Sequence, residues 1–574
     1  MGTARLQPAG RSTLGAPFLP LGVYWPGELT FQGDADRWSK IDSLLSDLQA
    51  DGINTVWLTH LGSGDEARFS KLAAVHAIGL VASIAEIAGD ECGVLFGAQG
   101  VRDPSTGRCS SPAADPQGQY QALIEGVLSE WGDAPEPLAW GLGDEPLTIN
   151  APEFRTYVEA WKTWAPGARL TAVVTWKDWG VYSTMGFDAL SQDVYPFFRA
   201  SGGYPTTPSQ AYELLARKAV RTHPAAWMMG QAFSDEAWAF PSPEQVSWQA
   251  WSALASGARG FIAFSYRGPG SCSAACALLD DSSGTPLPTS QYEALAKAYR
   301  ALGALSPILA TAARDVPVFA SIVRESRDSS LAVGLRDTNT GLHYVAVVAG
   351  YEKPGAVGID LLLGPDITLL RRVSDGAAIP LSLSGGMRRA AITLEAGTGE
   401  LYECTLDPAN PPVVYFDDFS TDKFLVETRF HNIARFDDLI NGEVLSATRG
   451  DDWPKDYIQL DLDSKLGSLA AGGLRVLGYD GFVVSDSGVR WYSSNDETAG
   501  FAAVSENRFE SVVPVTQQYL KGSISWARAS GFEYAFLSEM RLLQWKSRAE
   551  RRPLESYIFF LAGSLRSPRT FRLF

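Results

Sequence analysis

Along the first half of the chain, short apolar runs alternate with stretches whose apolar residues recur every three or four positions. Leu21-Gly-Val-Tyr-Trp-Pro26 reads as a strand. Asp34 to Ala50 then carries Trp38, Ile41, Leu44, Leu45 and Leu48 at helical spacing, and Gly52 stops it. Ile53 to Leu58 is a second strand, Glu66 to Ile78 a helix and Gly79 to Ser83 a third strand. A loop-rich insert follows, Ala88 to about Pro116, before a helix from Gln117 to Trp131. The pattern continues with strands at Leu138–Leu142, Arg169–Thr175, Ala189–Tyr195, Ala225–Phe233 and Gly260–Ser265, with helices between them and a last one from Gln291 to Leu302. Strands alternating with helices in this way predict a (β/α)8 TIM barrel. A doubly wound open sheet would also alternate, but it usually carries a Gly-rich phosphate turn after its first strand, and Tyr24-Trp-Pro-Gly-Glu is not one.

After Pro307 the period changes to short alternating runs, among them Ser330–Leu335, Tyr344–Val348, Gly358–Leu363 and Gly399–Cys404. These predict a small all-β sandwich. Asp407-Pro-Ala-Asn-Pro-Pro412 reads as a linker, and strands dominate again from Val413 to Phe574. The expected organisation is multidomain. It has an N-terminal tail (1–17), a catalytic barrel (18–306) and two all-β sandwich domains (307–406 and 412–574), the second jelly-roll-like and a candidate carbohydrate-binding module.

Composition narrows the partners. The 574 residues carry a net charge of −17, which disfavours nucleic acid and anionic lipid, both of which need a Lys/Arg surface. No apolar run is long enough for a transmembrane helix, and Met1 to Pro17 has no apolar core of a signal peptide. A secreted or extracellular setting is nevertheless favoured. The 17 Trp and 20 Tyr have apolar faces and polar edges suited to sugar rings, though a large protein also buries many aromatics. Among the five cysteines, Cys272 with Cys276 and Cys92 with Cys109 are candidate disulfides. No metal-ligand spacing appears, and neither metal nor cofactor is expected.

The candidate chemistry gathers at the C-terminal ends of the strands, where barrels place their sites. Leu138-Ala-Trp-Gly-Leu-Gly-Asp-Glu-Pro146 is an apolar strand that stops abruptly with Asp144 and Glu145 at its tip. The other strand ends bring Tyr24, Trp25, Thr59, His60, Trp176, Asp178, Asp193, Tyr195, Gln231, Phe233, Tyr266 and Arg267, and the loop beyond strand seven adds Asp235, Glu236 and Trp238. Carboxylates ringed by Trp and Tyr suit glycoside cleavage, in which a carboxylic acid protonates the leaving oxygen and a second carboxylate acts from the other face.

In this order, Gly143-Asp-Glu-Pro146, Asp193-Val-Tyr-Pro196 and the segment from Pro241 through Ala253-Leu-Ala-Ser-Gly-Ala-Arg-Gly-Phe-Ile-Ala-Phe264 resemble the (β/α)8 glycoside hydrolases of the cellulase and β-galactosidase-like clan. The resemblance covers roughly residues 18 to 405. It implies Glu145 as general acid/base, a poly- or oligosaccharide substrate, and Tyr24, Trp25, His60, Asp144, Trp176, Asp178, Tyr195, Gln231, Tyr266 and Arg267 as substrate-binding residues. It also implies a nucleophilic Glu at the end of strand seven, and Gln231 stands there instead. Three explanations stay open: a second carboxylate at Asp193, Asp235 or Glu236; a catalytically silent glycan-binding or adhesion protein; or an engineered replacement of a catalytic Glu. Structural roles compete at each position. Glu145 suits the start of the next helix, where a carboxylate complements the helix dipole, and Asp193 suits a turn.

Overall fold

The structure is a computed structural model. It describes residues 18–26, 35–59, 65–84, 91–96, 100–110, 116–175, 178–199, 208–267, 276–280, 286–314, 320–322, 329–364, 366–384 and 387–407, together with the backbone of strands between 413 and 564. The chain divides into two compact units. One comprises residues 1–201 and 215–311, the other residues 202–214 and 312–574.

The first unit holds a closed barrel of eight parallel strands, each hydrogen-bonded to its sequence neighbours, with the last closing on the first. They are β1 (Leu21–Trp25), β2 (Thr55–Leu58), β3 (Gly79–Ser83), β4 (Ala139–Asp144), β5 (Leu170–Thr175), β6 (Leu190–Val194), β7 (Ala226–Gln231) and β8 (Phe261–Phe264). Barrel strands are covered by helices outside and by each other's side chains inside, so they read as nearly unbroken apolar runs. β2, β6 and β7 are accordingly buried at every position. Alternate residues fill the interior, where Tyr24, Trp57, Val81, Ala139, Val173, Ala189, Trp227, Met229 and Ile262 form one apolar cluster.

The helices between strands include α1 (Arg37–Ala50), α2 (Asp65–Val75), α3 (Glu91–Phe96), α4 (Pro116–Trp131), α5 (Ala151–Trp164), α6 (Trp179–Tyr182), α7 (Pro208–Thr222), α8 (Pro243–Ala255) and α9 (Ser290–Leu309). α8 starts with a capping box, in which the Ser242 hydroxyl accepts from Gln245 N while the Gln245 side chain accepts from Ser242 N. α9 runs to Leu309 with Pro307 inside it, so the helix passes the boundary expected at 306. The loop-rich insert after β3 contains α3 and a two-residue ribbon, Val101–Arg102 paired with Cys109–Ser110. The Cys92–Cys109 disulfide joins α3 to that ribbon. Cys276 is also disulfide-bonded, and Cys272 lies outside the described residues.

In the second unit, residues 312–406 form a six-stranded and a four-stranded antiparallel sheet, which contribute jointly to one apolar core that includes Val345, Val347, Leu361, Leu363 and Ile392. Among the described residues beyond 412, the strands form an eight-stranded and a five-stranded sheet. Their pairing is antiparallel except between Leu474–Asp480 and Phe559–Ser564.

Candidate active site

β4 does not end as a regular strand. Its register against β5 shifts between Gly141 and Asp144, a bulge that re-aims the residues at the tip. Gly143 sits where a Cβ would come 3.1 Å from the Phe154 ring and 3.3 Å from Pro146 Cγ, so the bend is tight enough to favour glycine. Glu145 follows with φ +46°, a left-handed conformation uncommon for a residue with a side chain. Its amide is held by a 2.9 Å hydrogen bond to Val173 O. Asp144 and Glu145 are both exposed. Glu145 thus stands outside the core, ahead of α5 rather than within it.

Asp193 comes from the neighbouring side of the barrel. It shares the inward face of its strand with Ala189, four residues earlier, and the alternation carries it to the upper end of the interior. It is 6% exposed, and its carboxyl neighbours that of Glu145. Burial, the contact with Glu145, and the negative charges of Glu145 and Asp144 together hold the Asp193 carboxyl well above the usual aspartate range. Its Oδ1 is buried with no hydrogen-bond partner.

An aromatic group gathers around Tyr195, two residues beyond Asp193 on the same strand face. Tyr195 lies 5.0 Å from Phe233, 5.6 Å from Phe264 and 6.1 Å from Trp238, and Tyr24 lies 4.6 Å from Phe264, all between ring centroids. Tyr195, Trp238 and Phe264 are partly exposed. The loop after β7 is pinned over β6 by Trp238 Nε1, which donates to Tyr195 O at 3.2 Å. Asp235 closes that loop, its Oδ1 accepting from Ala237 N and Trp238 N, whereas Glu236 is exposed on it.

Several expected ligand-facing residues are elsewhere. Trp25 is fully buried and packs against Phe69 of α2 and against Tyr266, at 5.4 and 4.9 Å. The alternation that turns Tyr24 inward turns Trp25 out toward the helices, so it is core and not a sugar platform. Tyr266 is likewise buried, against Trp25 and Tyr292. Arg267 is 8% exposed and accepts the Ser265 hydroxyl at its carbonyl. Gln231 is 1% exposed, and backbone uses up its amide. Oε1 accepts from Phe197 N at 2.9 Å, and Nε2 donates to Ala239 O at 2.7 Å and to Phe197 O and Phe233 O at 3.3 Å. Gln231 therefore ties together the loops after β6 and β7 and is buried away from the surface. Asp178 accepts from the hydroxyls of Thr175 and Thr148, linking the loops after β4 and β5. His60 and Trp176 lie outside the described residues. Phe264 belongs to the aromatic group, although the sequence reading placed it only in a strand.

Among the described residues no group of three or more His, Cys, Asp or Glu is arranged to hold a metal ion, and no helix is long and apolar enough to cross a membrane.

No family model and no curated protein sequence matches the chain. Several solved structures are similar to parts of it. A catalytic mutant of a GH42 β-galactosidase from G. stearothermophilus is 8% identical over 68% of this chain and 98% of that one, with a TM-score of 0.48. The cold-adapted β-galactosidase from Rahnella sp. R3 is 11% identical over 53% of this chain, TM-score 0.41, and this chain spans 58% of its length. A GH5_18 mutant from Bifidobacterium longum, in complex with Manβ1-4GlcNAc, is 16% identical over 50% of this chain and 78% of that one, with a TM-score of 0.38.

Proposed function

We propose that the chain is a glycoside hydrolase acting on a poly- or oligosaccharide, with Glu145 as general acid/base. The observation that carries the reading is the pairing of exposed Glu145 with buried Asp193 beside partly exposed aromatic rings. Burial and the neighbouring acids Glu145 and Asp144 hold the Asp193 carboxyl well above the usual aspartate range, so it gives up its proton late. That proton rests on buried Asp193, next to the exposed Glu145 carboxyl through which it would reach a glycosidic oxygen. Tyr195, Phe264 and Trp238 offer ring faces to the apolar side of a sugar.

Asp193 is 6% exposed and neighbours Glu145, so the two acids are read as lying on the same side of a bound sugar. In this reading Asp193 is therefore the proton-sharing partner of Glu145, not the carboxylate on the sugar's opposite face. Glu236 takes that second role. Its neighbour Asp235 is committed to the turn, and the loop that carries both is held against Tyr195. The domains at 307–406 and 412–574 are read as β-sandwiches, the latter a carbohydrate-binding module.

The test is a panel of poly- and oligosaccharides assayed with wild type, Glu145→Gln and Glu236→Gln. Wild type is expected to release products. Glu145→Gln should lower kcat/KM by at least about 10²-fold, and equal activity in the two would remove Glu145 from the mechanism. The saturation of Gln231 by backbone favours a second reading, a catalytically silent glycan binder, because the strand-seven position then offers no nucleophile. Saturable glycan binding without product release would select it.

A further inference from the structure

Asn150 stands just ahead of α5, where an asparagine ordinarily caps the helix with its side chain. Here it makes no side-chain cap hydrogen bond. It is fully buried and its amide reaches sideways to the insert. Oδ1 accepts from Cys109 N at 2.8 Å, and Nδ2 donates to Gly107 O at 3.3 Å. Both partners lie on the ribbon that the Cys92–Cys109 disulfide fastens to α3. The turn of that ribbon is closed by Asp103, whose Oδ1 accepts from Ser105 Oγ, Ser105 N and Thr106 N.

On its other flank the same segment is fastened to the loop after β5. Tyr182 OH donates to Leu147 O at 3.0 Å, and Thr148 Oγ1 bonds the Asp178 carboxylate. Asn150 N itself donates to Leu147 O at 2.9 Å. Residues 146–150 are thus clamped on both sides immediately after Glu145. A left-handed backbone at a residue with a side chain persists only where surrounding contacts outweigh its cost.

We propose that Asn150 is a positioning residue: through the disulfide-closed ribbon it holds Glu145 at the strand tip in contact with Asp193. The proposal rests on the reading of Glu145 as the acid/base. It extends that reading to the insert after β3.

The test uses the full chain with Asn150→Ala and, separately, Cys92→Ser/Cys109→Ser, which loosens the ribbon without altering residues 145–150. Two quantities are measured. One is the split between kcat and KM on a glycoside that wild type cleaves. The other is the pH midpoint of the protonated-carboxyl band in infrared difference spectra, assigned to Asp193 with Asp193→Asn. Each variant is expected to lose about 10²-fold in kcat with KM nearly unchanged, as displacement of a reacting group does. The band midpoint should fall toward the ordinary aspartate range as Glu145 swings away. Arg108→Gln, which removes only the Arg108–Glu153 ion pair at a largely exposed arginine, should leave both unchanged. An unmoved midpoint in the folded variants would overturn the proposal, whatever the activity. A moved midpoint in a chain that cleaves no glycoside would keep the clamp and remove the hydrolase reading.

Discussion

A carboxyl sealed beneath another carboxyl releases its proton late. In the unfolded chain Asp193 titrates near 3.8, and folding raises it well above that, chiefly through burial and then through Glu145. The folded protein therefore binds this proton more tightly than the unfolded one. The resulting stabilisation is complete below the ordinary aspartate value and is lost as pH climbs through the raised one. Thermal unfolding followed across that range should show Tm falling with rising pH, and Asp193→Asn should remove this part of the fall; parallel profiles would refute it. Gln231 allows a second prediction. A glutamate there would turn a carboxylate oxygen toward the carbonyls of Ala239, Phe197 and Phe233, which now accept from the amide. Gln231→Glu should cost about 1–3 kcal/mol for each buried group left unpaired and create no activity. Chemical denaturation and the glycoside panel read both, and a gain of hydrolysis would show that a catalytic glutamate had been replaced. The residue types were plain in the sequence, but their duties were not. Asp193 looked like a turn residue or a second catalytic acid, and Gln231 like an acid lost from a site.

The strands and helices of the barrel were the most legible part of the chain, because a strand buried on both faces leaves an unmistakable apolar run. What such a run cannot tell is which of two adjacent aromatics faces inward. Tyr24 and Trp25 are neighbours at one strand end, yet one lines the interior and the other packs on α2. Interior packing at this level tolerates little. A Cβ on Gly22 would meet Thr55 O at 2.7 Å and Ile262 Cδ1 at 2.6 Å, and the carbonyl belongs to a hydrogen-bonded strand that cannot withdraw. Gly22→Ala should therefore destabilise by about 1–3 kcal/mol. Gly303→Ala, in a helix where a Cβ meets nothing within 4 Å, should instead stabilise by roughly 0.5–1 kcal/mol. Paired thermal melts check the opposite signs. The insert after β3 was less readable than the strands, because a two-residue ribbon has too few positions to show a period.

Taking the chain as a whole, every candidate site residue falls between Tyr24 and Arg267, inside the barrel unit. A chain ending at residue 407 should therefore keep the wild-type kcat/KM on a short oligosaccharide while losing affinity for a polymer, if residues 412–574 bind glycan. Activity assays on short and long substrates separate the two effects, and loss on both would place the later residues in catalysis. The change of period after Pro307 announced a second kind of architecture, and antiparallel sheets are found there.

The sequence by itself determined the alternation of strand and helix, the barrel order, and the arrival of Asp144 and Glu145 at a strand end. These follow from local periodicity and from Gly and Pro punctuation, which act over a few residues. Only the tertiary structure decided that Asp193 touches Glu145, that backbone consumes Gln231, and that Asn150 joins a disulfide-closed ribbon rather than capping a helix. Each of those facts is a contact between residues far apart in the chain, and a linear pattern carries no record of which distant groups meet.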